Sequence, residues 1–346
     1  MKGLSALQFL ALGVIWGSSY PLIKLAGEGL SPGQQVLGRL VLGSAVLVVV
    51  AAVTGSRLPR FGFVWVHITV TTVLGMVAPF LLLAWGEQHT SASMAGVLTA
   101  ATPLLTLALA TVQLRSERAT VRRTAGVVLG FAGIVLVMAP WSELGGTIGG
   151  QLACLAVAGI YAAHAVFVRK FLSDRGIPPV SSAAAQTLVA TVLLAVLQPF
   201  LGWDSPSVTW QVALSIVLLG VFGTGLAYVL YNRLIADIGA TGASGVNYLV
   251  PFISLLISAV FLGEAITWNV LAGGVVIVVS ILLGEDQLRP GAWRQPSGDA
   301  ASAGDGGSPL DGGEPPGGGE PQRVPEPQRT SGPPVAAAAP ATREES

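Results

Sequence analysis

Long apolar runs, separated by short breaks at proline, glycine and charged residues, dominate the first 284 residues of the sequence. A helix needs roughly 20 apolar residues to cross the hydrocarbon core of a bilayer, because each residue advances it by about 1.5 Å. Ten runs approach this length, at about 5–26, 34–53, 64–85, 91–112, 121–140, 149–170, 180–201, 209–231, 241–262 and 267–284. These runs predict an all-α polytopic membrane protein with ten transmembrane helices.

The scarcity of charge supports a lipid environment. Charged residues make up 10% of the chain and hydrophobic residues 52%, with a mean hydropathy of +0.70, whereas soluble domains contain about 25% charged residues. A formal net charge of zero does not suggest a nucleic-acid partner. The single cysteine, Cys154, excludes a disulfide framework and a cysteine-based metal site, and we expect no metal and no cofactor.

Basic residues predict the orientation, because cytoplasmic loops carry an excess of Lys and Arg. One set of alternate loops and ends holds Lys2, Arg57, Arg60, Arg115, Arg118, Arg122, Arg123, Arg169, Lys170, Arg175, Arg233 and Arg289. The other side has only Lys24 and Arg39, at or inside span ends. We therefore expect a multi-pass protein of a prokaryotic plasma membrane with both termini in the cytoplasm. Residues 285–346, rich in Pro, Gly and Glu, predict a disordered cytoplasmic tail.

The two halves of the apolar region resemble each other. At an offset of 147 or 148, Pro103, Glu117, Thr120 and Ala125-Gly126 align with Pro251, Glu264, Thr267 and Ala272-Gly273. Each half, 1–140 and 141–284, carries five predicted spans, and an odd number turns the second half upside down relative to the first. Inverted repeats are a recurrent transporter architecture, with the substrate site near the midplane between the halves. Chance similarity between apolar helices is the alternative.

Several short motifs carry a resemblance to a known family. The stretch Gly13-Val14-Ile15-Trp16-Gly17-Ser18-Ser19-Tyr20, followed by Lys24, resembles the first-helix motif of the EamA family of the drug/metabolite transporter superfamily. Further similar features are Arg39, Pro103, Pro251, Gly263-Glu264 with Thr267 and Gly273, and a weaker copy at Ser116-Glu117. The resemblance implies ten helices, a central cavity between the halves, and export or exchange of small metabolites without nucleotide hydrolysis.

Polar side chains inside apolar spans are candidates for substrate binding, because they are costly in lipid and usually face a cavity or a partner helix. The candidates are Trp16, Ser19, Tyr20, Lys24, Arg39, Thr99, Tyr161, His164, Tyr228, Asn247 and Tyr248. Each has a structural alternative, since hydroxyls, amides and imidazoles also join helices by hydrogen bonds. Lys24 and Arg39 either extend to the membrane interface or present positive charge to a carboxylate.

The acidic residues restrict the substrate. The predicted spans contain no Asp or Glu, and Glu87 and Glu264 fall at span ends. A proton-driven pump for cationic drugs usually needs a buried acid. We therefore expect an anionic or zwitterionic substrate. The expected function is that of a secondary transporter that exports amino acids or other small carboxylic compounds by alternating access.

Other classes share some of these features. A lipid flippase or a drug efflux protein would have the same fold. Gly242-Ala243-Ser244-Gly245 resembles the motif of an intramembrane serine protease, but no histidine follows His164 to serve as the base.

A glycine face in the fifth span indicates close packing. Gly126, Gly130 and Gly133 lie on roughly one face of the predicted helix. Small residues let helix backbones approach closely in membranes. They predict a packing surface between helices or between protomers, so a homodimer is left open.

Overall fold

A computed structural model describes residues 3–113, 121–139, 146–172, 175–201 and 205–284. These residues form helices, and the β-structure among them is one isolated bridge between Thr90 and Gly146. The loop with Ser116-Glu117 and the tail predicted at 285–346 lie outside the described residues.

The helices of the first half alternate with short connections. They are α1 (Gly3–Ala26), α2 (Pro32–Val53), α3 (Val64–Thr72), α4 (Ala78–His89), α5 (Ala92–Thr99), α6 (Thr102–Gln113) and α7 (Val121–Met138). A π-helical segment, Val73–Val77, joins α3 to α4 without a break.

The second half follows a similar plan. Its helices are α8 (Ile148–Phe171), α9 (Pro179–Leu197), α10 (Trp210–Val217), α11 (Ala227–Ser244), α12 (Val246–Phe261) and α13 (Trp268–Gly284). A π-helical segment, Leu218–Leu226, joins α10 to α11, and a 3₁₀ turn, Gln198–Phe200, extends α9.

Six helical stretches are long and apolar enough to cross a membrane: Leu4–Ala26, Pro32–Val53, Val64–His89, Ile148–Val168, Pro179–Phe200 and Trp210–Ile238. Four shorter apolar helices accompany them: Ala92–Thr106, Thr124–Met138, Val246–Phe261 and Trp268–Leu283. All of them coincide with predicted runs. The third stretch continues to His89, beyond its predicted end at 85, and so contains Glu87.

The two aligned prolines act differently. Pro103 follows a break between α5 and α6, where Thr102 Oγ1 donates to the Thr99 carbonyl at 2.7 Å. Proline removes a backbone donor and clashes with the preceding turn, so it is best tolerated in the first turn of a helix. Pro251 instead lies inside the continuous helix α12.

Contacts between the halves build much of the core. The helix α7 packs along α13, α1 along α12, α2 along the segment Leu218–Leu226, and α4 along α8. The largest buried cluster draws side chains from α1, α2, α4, α5, α8 and α13.

The glycines of α7 lie in the α7–α13 interface. A Cβ on Gly133 would come within 3.1 Å of the Gly273 carbonyl, and one on Gly130 within 2.7 Å of Ser280 Oγ. Gly126 is buried on the same helix. This close approach joins two helices of one chain.

Candidate functional site

Arg39 lies at the centre of a polar cluster. Its side chain is 7% exposed, so it does not extend to the membrane interface. Its Nε donates to Thr224 Oγ1 at 2.8 Å, and its guanidinium lies 4.0 Å from the centre of the Phe80 ring. The helix α4 and the π-helical segment of the second half thus hold the guanidinium between them.

Three tyrosines lie near this cation. The hydroxyls of Tyr20 and Thr99 lie 2.6 Å apart, and Thr99 Oγ1 also donates to the Ala95 carbonyl at 2.8 Å. Because the Thr99 proton is used in that bond, Tyr20 is the donor to Thr99. Tyr161 and Tyr228 pack against the same core, and all three tyrosines interact electrostatically with Arg39.

Lys24 lies one helical turn beyond Tyr20. Its Nζ donates to the backbone carbonyls of Glu87 at 2.5 Å and Thr90 at 2.7 Å. These carbonyls belong to the C-terminal end of α4, where positive charge is favourable. The ammonium group therefore joins α1 to the end of α4.

Glu87 was expected to be a boundary residue, and this expectation is wrong. Because α4 continues to His89, the Glu87 side chain is enclosed and only 1% exposed. Neither carboxylate oxygen has a hydrogen-bond partner among the described residues. The membrane-spanning candidate Val64–His89 therefore contains a buried acid, which the predicted spans lacked, and Arg39 is enclosed as well.

Glu264 connects the two halves at the same end. Its carboxylate accepts from the backbone N–H of Ala92 at 2.8 Å and of Ser93 at 2.9 Å, and from Ser93 Oγ at 2.6 Å. These groups form the N-terminus of α5, where a negative charge is stabilised by the helix dipole and by unpaired N–H groups.

Several candidates lie outside this polar cluster or serve the helix itself. The Trp16 ring packs against Tyr231 with 5.2 Å between centroids, and Ser19 Oγ donates to the Ile15 carbonyl one turn earlier. His164 packs against Gly75, where an added Cβ would lie 2.7 Å from Nε2. Its Nε2 has no hydrogen-bond partner among the described residues.

Two further candidates belong to α12. Asn247 and Tyr248 are partly buried, and Tyr248 packs against the main cluster. Besides the predicted tyrosines, three residues that were not among the sequence candidates interact with Arg39, namely Phe80, Glu87 and Thr224.

The comparison with known proteins decides the family. A model of the EamA-like transporter family matches residues 3–139 and again residues 148–284. The chain belongs to the EamA-like transporter family. It is a multi-pass membrane protein, with the bilayer and a small-molecule substrate as its partners.

Curated relatives of this transporter cover most of its length. The uncharacterized transporter YdfC of Bacillus subtilis is 28% identical over 264 residues, which are 76% of this chain and 85% of the relative. A protein named "probable terminal-alkyne amino-acid exporter" from Streptantibioticus cattleyicolor is 29% identical over 286 residues, 82% of this chain and 94% of its own. A solved crystal structure with 22% identity and a TM-score of 0.58 shares the fold over 82% of this chain and 97% of its own.

The family and these relatives point to a transporter rather than an enzyme. The side chain of Ser244, in the protease-like motif, lies outside the described part of the chain. Among the residues that the structure describes, no group of three His, Cys, Asp or Glu could hold a metal ion.

Proposed function

We propose that this transporter exports amino acids or other small carboxylic compounds by alternating access. The observation that carries the proposal is the enclosed guanidinium of Arg39. No described acidic side chain forms an ion pair with it, and Glu87 is the one acid among the groups that interact with it electrostatically. An arginine in this setting suits the planar, bidentate recognition of a carboxylate.

The surroundings of Arg39 support an organic anion over a bare inorganic one. The Phe80 ring provides an apolar surface beside the guanidinium, and the tyrosine hydroxyls offer donors and acceptors. Small-molecule sites combine apolar walls with a few placed polar groups in this way. The name of the Streptantibioticus relative, an amino-acid exporter, supports the same substrate class.

The proposed architecture is two inverted halves, 1–140 and 141–284, of five transmembrane helices each. The helix pairs support it. The contact of α1 with α12 corresponds to the contact of α8 with α5 and α6. In the same way, the contact of α2 with Leu218–Leu226 corresponds to the contact of α9 with Val73–Val77. A two-fold relation between the halves would produce such reciprocal pairs, and it would place the substrate near their interface.

The proposed orientation has both termini in the cytoplasm. The end of α2 next to Arg39 then faces outward, together with Lys24 and Glu264. At the other end of α2, Arg57, Arg60 and Arg175 line a surface depression, in keeping with the excess of basic residues in cytoplasmic loops. In this orientation Lys24 and Glu264 connect helices at the outer end of the proposed site and would close it.

The test is transport by purified protein in proteoliposomes. Vesicles loaded with labelled amino acids are compared with vesicles loaded with labelled organic cations. We expect efflux of amino acids, and a loss of roughly 100-fold in Arg39→Gln because a buried charge-assisted contact is removed. The matched control is Arg57→Gln, an exposed arginine outside the cluster, which should retain full transport. Preference for organic cations, or full transport by Arg39→Gln, would contradict the proposal.

A further inference from the structure

The Glu87 carboxylate is the least satisfied polar group near the proposed site. It is 1% exposed, and neither oxygen has a hydrogen-bond partner among the described residues. An ionised carboxylate without a partner is strongly unfavourable in an enclosed, weakly polar environment. Such a group is best explained by a cationic partner that is absent from the described chain.

The neighbouring lysine does not supply that partner. Lys24 Nζ donates to the backbone carbonyls of Glu87 and Thr90 rather than to the carboxylate. The other titratable and charged groups that interact with Glu87 are Tyr20, Arg39, Cys154 and Glu264. None of them forms a hydrogen bond with the Glu87 carboxylate among the described contacts.

Glu87 lies on the same face of α4 as the ring that contacts Arg39. Glu87 lies seven residues after Phe80 in α4, two helical turns further along the same face and about 10 Å along the axis. Phe80 is the ring that contacts the Arg39 guanidinium. The ammonium and carboxylate of an α-amino acid, each with a hydrogen bond of about 2.8 Å, span roughly 8–9 Å. The axial spacing of Phe80 and Glu87 is close to this span.

We propose that Glu87 binds the ammonium group of a zwitterionic substrate whose carboxylate binds Arg39. The inference rests on the proposed function and narrows it, because it selects amino acids over carboxylic compounds that lack an amine. A plain carboxylate would occupy Arg39 and leave Glu87 without a partner. A site that binds a hydrogen-bond donor of its ligand strongly disfavours an analogue that lacks this donor.

The test compares matched ligands in detergent-purified protein. The probes are the common amino acids and the des-amino counterpart of each, for example L-leucine with 4-methylpentanoate and L-phenylalanine with 3-phenylpropanoate. Affinity is measured by thermal stabilisation and by isothermal titration calorimetry. The wild type should bind at least one amino acid roughly 100-fold more tightly than its counterpart. Glu87→Gln, which keeps the shape of the side chain, should reduce the ratio of the affinities for the amino acid and its counterpart to below about 10.

The control variant is Glu28→Gln, since Glu28 is an exposed carboxylate that follows α1 at the same end. It should retain the wild-type ratio. Size-exclusion profiles and melting curves show whether each variant is folded, and Glu87→Asp provides a second variant that keeps the charge and should restore part of the ratio.

The outcomes separate the two proposals. Equal binding of an amino acid and its des-amino counterpart by the wild type overturns the role of Glu87 and leaves the carboxylate proposal intact. Binding of neither class overturns both. A folded Glu87→Gln variant that keeps the wild-type preference for the amino acid would also overturn the inference, because groups other than Glu87 would then bind the ammonium.

Discussion

Glu264 offers a direct test of the closure that we propose for the outer end. Its carboxylate accepts three hydrogen bonds from Ala92 and Ser93, and these bonds tie the loop between α12 and α13 to α5. We expect Glu264→Ala to weaken this closure and to increase the population of molecules that are open at the outer end.

The magnitude follows from the three bonds. A hydrogen bond to a charged group contributes about 1.5–3 kcal/mol. Glu264 is only partly buried, so solvent screens the interaction and about 2 kcal/mol is a suitable total. Since 1.4 kcal/mol corresponds to a factor of ten, the ratio of open to closed molecules should rise roughly 30-fold.

The native cysteine serves as the reporter. Cys154 is the only cysteine of the chain, is fully buried, and lies beside Gly86 near the end of α4. A membrane-impermeant maleimide, added from the outer side, should label Glu264→Ala about 10–30 times faster than the wild type, as the open population grows. Cys154→Ser gives the background rate.

The comparison needs a matched carboxylate. Glu28→Ala removes an exposed carboxylate near the same end and should leave the labelling rate unchanged. A folded Glu264→Ala variant that is labelled no faster than the wild type would refute the reasoning, because the three bonds would then have no influence on closure.

Two further substitutions test the hydrogen bond of Arg39 and the packing of α7 against α13. Thr224→Val leaves Arg39 Nε without its acceptor and should reduce substrate affinity about tenfold in a binding assay, whereas Thr106→Val, which removes a bond within its own helix, should not. Gly133→Val should lower the free energy of unfolding by about 2 kcal/mol because it forces α7 from α13. Gly159→Val is the control in thermal melts, because no atom lies within 4 Å of a Cβ added at Gly159. Equal melting temperatures of the Gly133→Val and Gly159→Val variants would contradict this expectation.

The apolar runs predicted the places of the helices, because the cost of exposing a backbone to lipid is the same in every span. The expectation for Arg39 and Tyr20 also followed from local information, since both are polar side chains inside apolar runs. The partners of Arg39 and Tyr20 could not be predicted from local information. Thr224 is 185 residues from Arg39 in the chain, and only the packing of α2 against the second half brings the two together.

Glu87 shows why a hydropathy pattern misplaces such residues. A glycine, a glutamate and a glutamine in succession ended the predicted span, although α4 continues to His89. Lys24, which belongs to another helix, donates to the carbonyls at this end of α4, and the local sequence does not show this contact. Pro103 and Pro251 make a similar point, because the same residue type follows a break in one half and lies within a continuous helix in the other.

The close fit of α7 against α13 has a consequence for biosynthesis. The helix α13 begins roughly 150 residues after α7 begins, and ribosomes add about 5–20 residues per second. The glycine face of α7 therefore enters the membrane on the order of ten seconds before its partner exists. During this interval lipid, an insertase or another chain must cover that face, so the first half completes its packing only after the second half has been made.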